Sequence, residues 1–397
     1  MSARPLFLED CGIVTPLGNG KTAVACALFA GDNNGISLRD DLVPNKQVYV
    51  GAVRDDLPTP PAALRDFDCR NNRLMQMALM EITPAVEKAI KRYGRDRIAV
   101  VLGTSTSGTS SSEEAMVIRQ NTGSWPTDYH YHKQEISGLS TFAACFLGLT
   151  GPTYTVATAC SSSAKVFASA RRLIRAGLAD AAIVGGSDTL CRMTLNGFDA
   201  LELLAKEKCN PFSANRDGIT IGEGAAAFLL SADDGPVQFL GIGETSDAYH
   251  LTAPDPEGNG ACQAMLQALD DAGLTAADIA YINLHGTATS LNDAMEARAV
   301  SSIFGSQTPC SSTKGMTGHM LGATGGCEAA FLWLALNAAT SPALLPPHLW
   351  DGIHDPNLPV LNFVAMGTPL PEGKQLAMLS NSFGFGGSNA SLILGRA

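Results

Sequence analysis

Residues 98–107 read IAVVLGTSTS, and residues 279–290 read IAYINLHGTATS. Each is a short β-rich run followed by G-T-x-T-S, and the second carries Leu284 and His285 as extra residues. A second pair follows in the same order: GEGAAAFLLS at 222–231 and GFGGSNASLILG at 384–395. Two echoes in one order predict a duplicated α/β unit. The join falls in SADDGP, Ser231–Pro236, a charged turn sequence. The predicted halves are residues 1–233 and 234–397. Helical patterns lie between the β runs, as in AKVFASARRLIRAG (164–177) and ACQAMLQALDDAG (261–273). Such alternation predicts an α/β protein whose central strands are covered on both faces.

The composition agrees. A chain of 397 residues with 45% hydrophobic and 16% charged residues is folded rather than disordered. Its net charge of −11, without a long basic run, makes nucleic acid and anionic membrane poor general partners. The N-terminal MSARPLFLEDCG has no secretory core. The apolar run AAFLWLALNAA is far short of the roughly twenty residues of a membrane span. A cytoplasmic protein is expected. The ten cysteines include no CxxC pair, so neither a zinc site nor a disulfide framework is expected.

One cysteine stands apart. In TACSSS, Thr158–Ser163, Cys160 follows the strand-like YTVATA and precedes a helical pattern that runs to Gly177. The serines suit a first helical turn. Arg171, Arg172 and Arg175 suit the far end of the helix dipole. Unpaired N–H groups at the helix start are expected to favour a thiolate and lower the thiol pKa. A packed thiol at a tight turn fits the local pattern equally well, so the rest of the chain must decide.

His285 directly follows the strand IAYINL, where open α/β sheets bind ligands. Lys314 and His319 stand in the glycine-rich stretch KGMTGHMLGATGG, before a helix expected to begin near Ala323. Glu328 lies early in that largely apolar helix, where a carboxylate needs a partner; Lys314 is the near candidate. NSFGFGGSN, 381–389, sets Phe383 and Phe385 among glycines whose N–H groups can face an anion. His130 and His132 form an H-x-H pair without a companion carboxylate cluster and read as loop residues.

Six motifs occur in order over nearly the whole chain: GIVTPLGNG, TACSSS, NPFSANRDGITIGEGA, HGTATSLND, KGMTGHMLGATGGCEA and NSFGFGGSN. Together they resemble the β-ketoacyl-[acyl-carrier-protein] synthases of the thiolase superfamily. The resemblance implies a five-layer αβαβα thiolase-like fold of two similar halves, which usually forms dimers. It implies a decarboxylative Claisen condensation of malonyl-acyl carrier protein with a cysteine-bound acyl group, with no metal or other bound cofactor. By motif, Cys160 is the nucleophile and His285 and His319 face the malonyl thioester. Lys314 and Glu328 form a supporting charge pair. Phe385 is the gate, and its N–H completes an oxyanion hole with that of Cys160. Thr287 and Thr289 hold the pantetheine arm. Arg65 and Arg70, with Arg73, occupy the region that relatives use to dock the acidic acyl carrier protein.

There are departures. The family usually has R-D-G-F where this chain has Ile219, so the acyl pocket is expected to differ. TACSSS is closer to polyketide-type ketosynthases, which suggests a specialised pathway such as an aryl polyene. The partner is then either a second copy or a ketosynthase-like subunit. A non-catalytic chain-length-factor subunit is the main rival. Retention of Cys160, His285, Lys314 and His319 argues against it.

Overall fold

The computed structural model describes residues 4–337, 339, 342–371 and 376–396. In the first half the sheet strands are β1 (Leu6–Thr15), β2 (Ile98–Gly103), β3 (Thr153–Val156), β4 (Ala181–Asp188) and β5 (Gly224–Ser231). In the second they are β6 (Val237–Ser246), β7 (Ile279–Asn283), β8 (Pro309–Ser311), β9 (Ala377–Gly384) and β10 (Ser388–Arg396). The first half has the spatial order β1-β5-β4-β2-β3, and the second has β6-β10-β9-β7-β8, with a two-residue strand, Asn362–Phe363, pairing on the outer side of β8. Strand directions also match. The first two neighbouring pairs of each half are antiparallel and the last two parallel. The two echoes of the sequence therefore occupy equivalent strands: β2 with β7, and β5 with β10. Antiparallel pairing of Leu6–Leu8 with Val237–Phe239 joins the halves edge to edge.

Helices fill three layers around these sheets. Outside the first half lie α1 (Arg70–Tyr93) and α2 (Gly138–Leu147). Between the sheets lie α3 (Ser162–Arg175) and, from the second half, α6 (Thr324–Leu336). Outside the second half lie α4 (Asn259–Ala272) and α5 (Ser290–Phe304). Strand alternation explains the layering, because successive side chains point to opposite faces. On β2, Ile98, Val100 and Leu102 pack with Leu74 and Met75 of α1, whereas Ala99 and Val101 pack with Val166 and Phe167 of α3. On β10, Ile393 faces Met265 of α4, whereas Leu392 and Leu394 join Phe331 and Leu332 of α6. Every residue of α6 is buried. A helix apolar on all sides belongs in the middle of a fold. The architecture is the five-layer αβαβα arrangement of two similar halves.

No described helix is long and apolar enough to cross a membrane.

Candidate active site

The chain turns sharply before α3. Strand β3 ends at Val156, and Ala159 then takes φ +51, a left-handed conformation that alanine rarely adopts. The serines of TACSSS hold this turn. Ser162 Oγ accepts from the Thr158 N–H at 2.9 Å and donates to the Ala159 carbonyl at 2.6 Å. Ser161 Oγ donates to the Thr158 carbonyl at 2.8 Å. Ser163 Oγ accepts from the Gly326 N–H of α6 at 2.7 Å, tying the two middle helices together. Strain of this kind persists where surrounding contacts over-determine it. It raises Cys160 out of the strand line at the start of a helix.

Around Cys160 the two halves meet. Its Sγ lies 3.0 Å from Nε2 of His319. Nδ1 of His319 lies 2.9 Å from Thr324 Oγ1, the first residue of α6. The ring of His285 stands edge-on to that of His319, with centroids 5.2 Å apart. The donor atoms of Cys160, His285 and His319 all lie within 4.8 Å of one another. Such a trio is a soft donor set, and among the described residues no fourth His, Cys, Asp or Glu ligand atom joins it. Lys314 Nζ donates to Glu328 Oε1 at 2.7 Å, and both side chains are 1% exposed. The expected pair is therefore formed, behind the histidines.

Burial sets the protonation states. It pushes both His285 and His319 well below the usual histidine range, and the nearby Lys314 charge adds to the effect. Both imidazoles are neutral at pH 7. The thiol departs from expectation. Burial pushes Cys160 up to about 11, against the opposing pull of the Phe385 N–H, the Lys314 charge and its own N–H. The helix terminus is present, but desolvation of the charged form outweighs it. Cys160 is therefore a thiol at rest, not the thiolate that its position at a helix start suggested.

The backbone N–H groups of Phe385 and Cys160 both act on the sulphur, each favouring its charged form. Gly384 makes the approach possible: a Cβ there would sit 3.2 Å from the Cys160 nitrogen and 3.1 Å from the Thr158 carbonyl. The Phe385 ring packs against Phe198, with centroids 5.5 Å apart. A cleft of about 130 Å³ runs from Cys160 and the two histidines past Thr287 and Thr289 to Leu291. Leu291 is exposed, so the cleft opens to the surface. Thr287 and Thr289 lie with hydroxyls 2.9 Å apart. Ile219 lines the cleft beside Phe198 and Leu203.

Three contributors were not foreseen. Glu296 of α5 accepts from the N–H groups of His285 and Gly286, each at 2.7 Å. Burial holds its carboxyl up at about 7. Asp293, held up at about 6 by burial, accepts from the Ala288 and Phe212 N–H groups. Thr324 is the third. The acids in the stretch SLNDAME were the available signal, since carboxylates on a buried helix face must find donors.

The arginines expected to dock the carrier protein separate. Arg65 has an 85% exposed side chain. Arg70 instead closes on the buried Glu223, donating at 2.9 and 2.6 Å, and on the Val53 carbonyl at 2.9 Å. Arg73 pairs with Asp68 at 2.6 Å. Expected as part of a docking face, Arg70 is thus engaged within its own chain, because Glu223 needs a cation. His132 stacks on Phe67 and pairs with Glu135, and neither it nor His130 joins a metal-binding cluster among the described residues.

Residues 11–234 match the family described as "Beta-ketoacyl synthase, N-terminal domain", and residues 238–347 match "Beta-ketoacyl synthase, C-terminal domain". The chain is 34% identical to 3-oxoacyl-[acyl-carrier-protein] synthase 2 of Staphylococcus aureus, with 98% of each covered. It is 31% identical to the protein of that name from Rhizobium meliloti, with 99% of each covered. Among solved structures it is similar to a chain of the complex between the ketosynthase ApeO and its chain length factor ApeC, from Xenorhabdus doucetiae. That match has 46% identity and a TM-score of 0.94, and it covers 99% of this chain and 98% of the other.

Proposed function

The chain belongs to the β-ketoacyl synthase family, as a ketosynthase of the 3-oxoacyl-[acyl-carrier-protein] synthase type, and from that premise we propose that it is the catalytically active kind. Its reaction joins an acyl group, held on Cys160, to malonyl-acyl carrier protein, giving a 3-oxoacyl-carrier protein and CO₂. The observation that carries this reading is the 3.0 Å contact between Cys160 and His319, with His285 at right angles beside it. A chain retained only as a non-catalytic partner has no need of this arrangement.

In the loading step Cys160 attacks the acyl thioester. The new C–S bond forms as the bond to the pantetheine sulphur breaks. Because the resting group is a thiol, its proton must leave. Nε2 of His319 is in reach to take it and return it to the departing sulphur. The developing oxyanion meets the N–H groups of Cys160 and Phe385. In the condensing step the malonyl carboxylate leaves as CO₂, and negative charge moves to the thioester oxygen. Two neutral imidazoles, each presenting N–H, stabilise that charge in a dry site. The enolate carbon then attacks the acyl-enzyme, the bond from the acyl carbon to sulphur breaks, and Cys160 leaves as a thiolate that takes up a proton from solvent. His319 must accept in the first step and donate in the second. The Thr324 hydroxyl suits both tautomers, because it can accept from Nδ1 or donate to it.

Thr287 and Thr289 are assigned to the pantetheine arm, at the outer part of the cleft. Under this reading residues 1–233 supply the nucleophile and residues 234–397 the two histidines. Arg65 is the candidate contact for the acidic carrier protein. The substrate reaches the site on the carrier's phosphopantetheine, and the chemistry requires no further cofactor, since loss of CO₂ drives it. Ile219, Phe198 and Leu203 line the same cleft as Cys160 and are assigned the acyl preference.

We assign a specialised cytoplasmic pathway, of the aryl-polyene kind, and a dimer whose second subunit is ketosynthase-like. Similarity to a chain of a complex between a ketosynthase and its chain length factor supports the pairing. So does the short edge strand β3, whose Thr153 and Tyr154 are exposed. An in vitro condensation assay across saturated, unsaturated and aromatic acyl-carrier primers tests the reading, with product masses read directly. Extension by two carbons, favouring unsaturated or aromatic primers, is expected. Equal use of short saturated primers counts against the pathway, and no extension of any primer counts against catalysis.

A further inference from the structure

We propose that Asp188, at the end of β4, is a positioning residue that fixes Cys160 of one half against His319 of the other. The inference rests on the condensing function proposed above and adds a residue to it.

Asp188 is fully buried and has no cationic partner among the described ion pairs. Instead its carboxylate gathers donors from both halves. Oδ1 accepts from the Thr104 hydroxyl at 2.7 Å, the Ser105 N–H at 2.8 Å, and the Thr106 N–H and hydroxyl at 2.7 and 2.8 Å. Oδ2 accepts from the Ser105 N–H at 3.1 Å and from the Ala323 N–H at 3.0 Å. The first group belongs to the loop after β2. Ala323 belongs to the second half, four residues beyond His319.

Each arm leads to one partner of the central contact. The Ser105 hydroxyl donates to the carbonyl of Ala159 at 3.2 Å. Ala159 is the left-handed residue immediately before Cys160. On the other side Ala323 precedes Thr324, whose hydroxyl holds Nδ1 of His319. One carboxylate thus links the backbone that aims the sulphur to the residue that orients the imidazole. The packing leaves it little freedom: a Cβ on Gly322 would sit 2.9 Å from Asp188 Oδ2 and 2.5 Å from Ser105 Oγ. A carboxylate is the group for this place because it is acceptor-only, and every neighbour named here is a donor. Asparagine would bring an NH₂ against one of those N–H groups.

Placement errors of about 1 Å cost on the order of 10²-fold in rate. The test is steady-state condensation by Asp188→Asn, Thr324→Ala and the double variant, beside the wild-type enzyme. The expected result for Asp188→Asn is a kcat about 10–100-fold lower, with KM for malonyl-carrier protein within about twofold of wild type. In the double variant the two losses should combine to less than their product, because both act through the placement of His319. Asp188→Glu should recover part of kcat. A kcat for Asp188→Asn within about twofold of wild type overturns the proposal, and so do fully multiplicative losses. Should Asp188→Asn fail to fold, Ser105→Ala and Thr324→Ala break one arm each from outside. Lower kcat with unchanged KM in both supports the linkage, and unchanged kcat in both overturns it. A wild-type enzyme that fails to condense would remove the function itself, a result distinct from any of these.

Discussion

Cys160 and His319 come from different halves of the chain, 159 residues apart, yet Sγ and Nε2 lie 3.0 Å from each other. Both groups are buried, and both are uncharged at neutral pH for the same reason, the cost of placing charge in a dry site. The pair therefore begins each cycle as thiol and imidazole. Charge is created only when substrate is present to receive it.

The state of the thiol is measurable. With the pKa at about 11, the thiolate fraction rises about tenfold per pH unit throughout the range from pH 7 to 9. The rate of Cys160 alkylation by iodoacetamide should follow that slope. A rate that levels off near pH 7 would mean that the helix terminus had prevailed over burial.

On the proposed mechanism, His319→Ala removes one of two donors to the enolate oxygen. Loss of a single donor of this kind costs about 10²–10³ in kcat. Release of CO₂ from malonyl-carrier protein by this variant should fall by that factor, while the far-ultraviolet circular dichroism is unchanged. Decarboxylation at the wild-type rate would show that His319 has no part in that step.

The Lys314–Glu328 pair predicts a stability effect. Removing one partner of a buried ion pair typically costs about 3–5 kcal/mol, because the other charge is stranded. Lys314→Met should lose that much in urea unfolding. Lys314→Met combined with Glu328→Leu should lose less than Lys314→Met alone. Equal losses would mean that the pair is not coupled.

The arginines near the start of α1 should divide. Arg65→Glu should raise KM for carrier-bound substrate about 2–5-fold and leave the melting temperature alone, since an exposed ion is worth little to the fold. Arg70→Glu sets a second carboxylate against Glu223 and should lower the melting temperature. A small thioester analogue, which needs no docking, should be used equally well by Arg65→Glu and wild type.

Much of this was legible in the sequence, and the reason is local. The repeated strand-then-glycine signature marks equivalent strands because each half must turn at the same place. Cys160, His285, Lys314, His319 and Glu328 stand out locally at strand ends and helix starts, but their roles come from the six motifs in order, since the local pattern at Cys160 fits a packed thiol equally well. What could not be read depends on neighbours distant in sequence. Asp188 meets Ala323 only after the halves close, and Glu296 meets Asn381 only after α5 packs on a strand 85 residues away in the same half. The helix start before Ser162 is visible in the letters, but the depth of burial that reverses its effect on Cys160 is not. Arg70 fell on the docking stretch, whereas Glu223, which engages it, lies far along the chain.

The central claim is that Cys160 carries the acyl group between the two steps. Incubation with an acyl-carrier protein, followed by intact-protein mass and peptide mapping, tests it most directly. The account predicts a mass gain equal to the acyl group, mapped to the Cys160 peptide. That gain should disappear when malonyl-carrier protein is added and a 3-oxoacyl product forms. An unmodified Cys160 in a folded protein supplied with its partner subunit and a range of acyl carriers would contradict it.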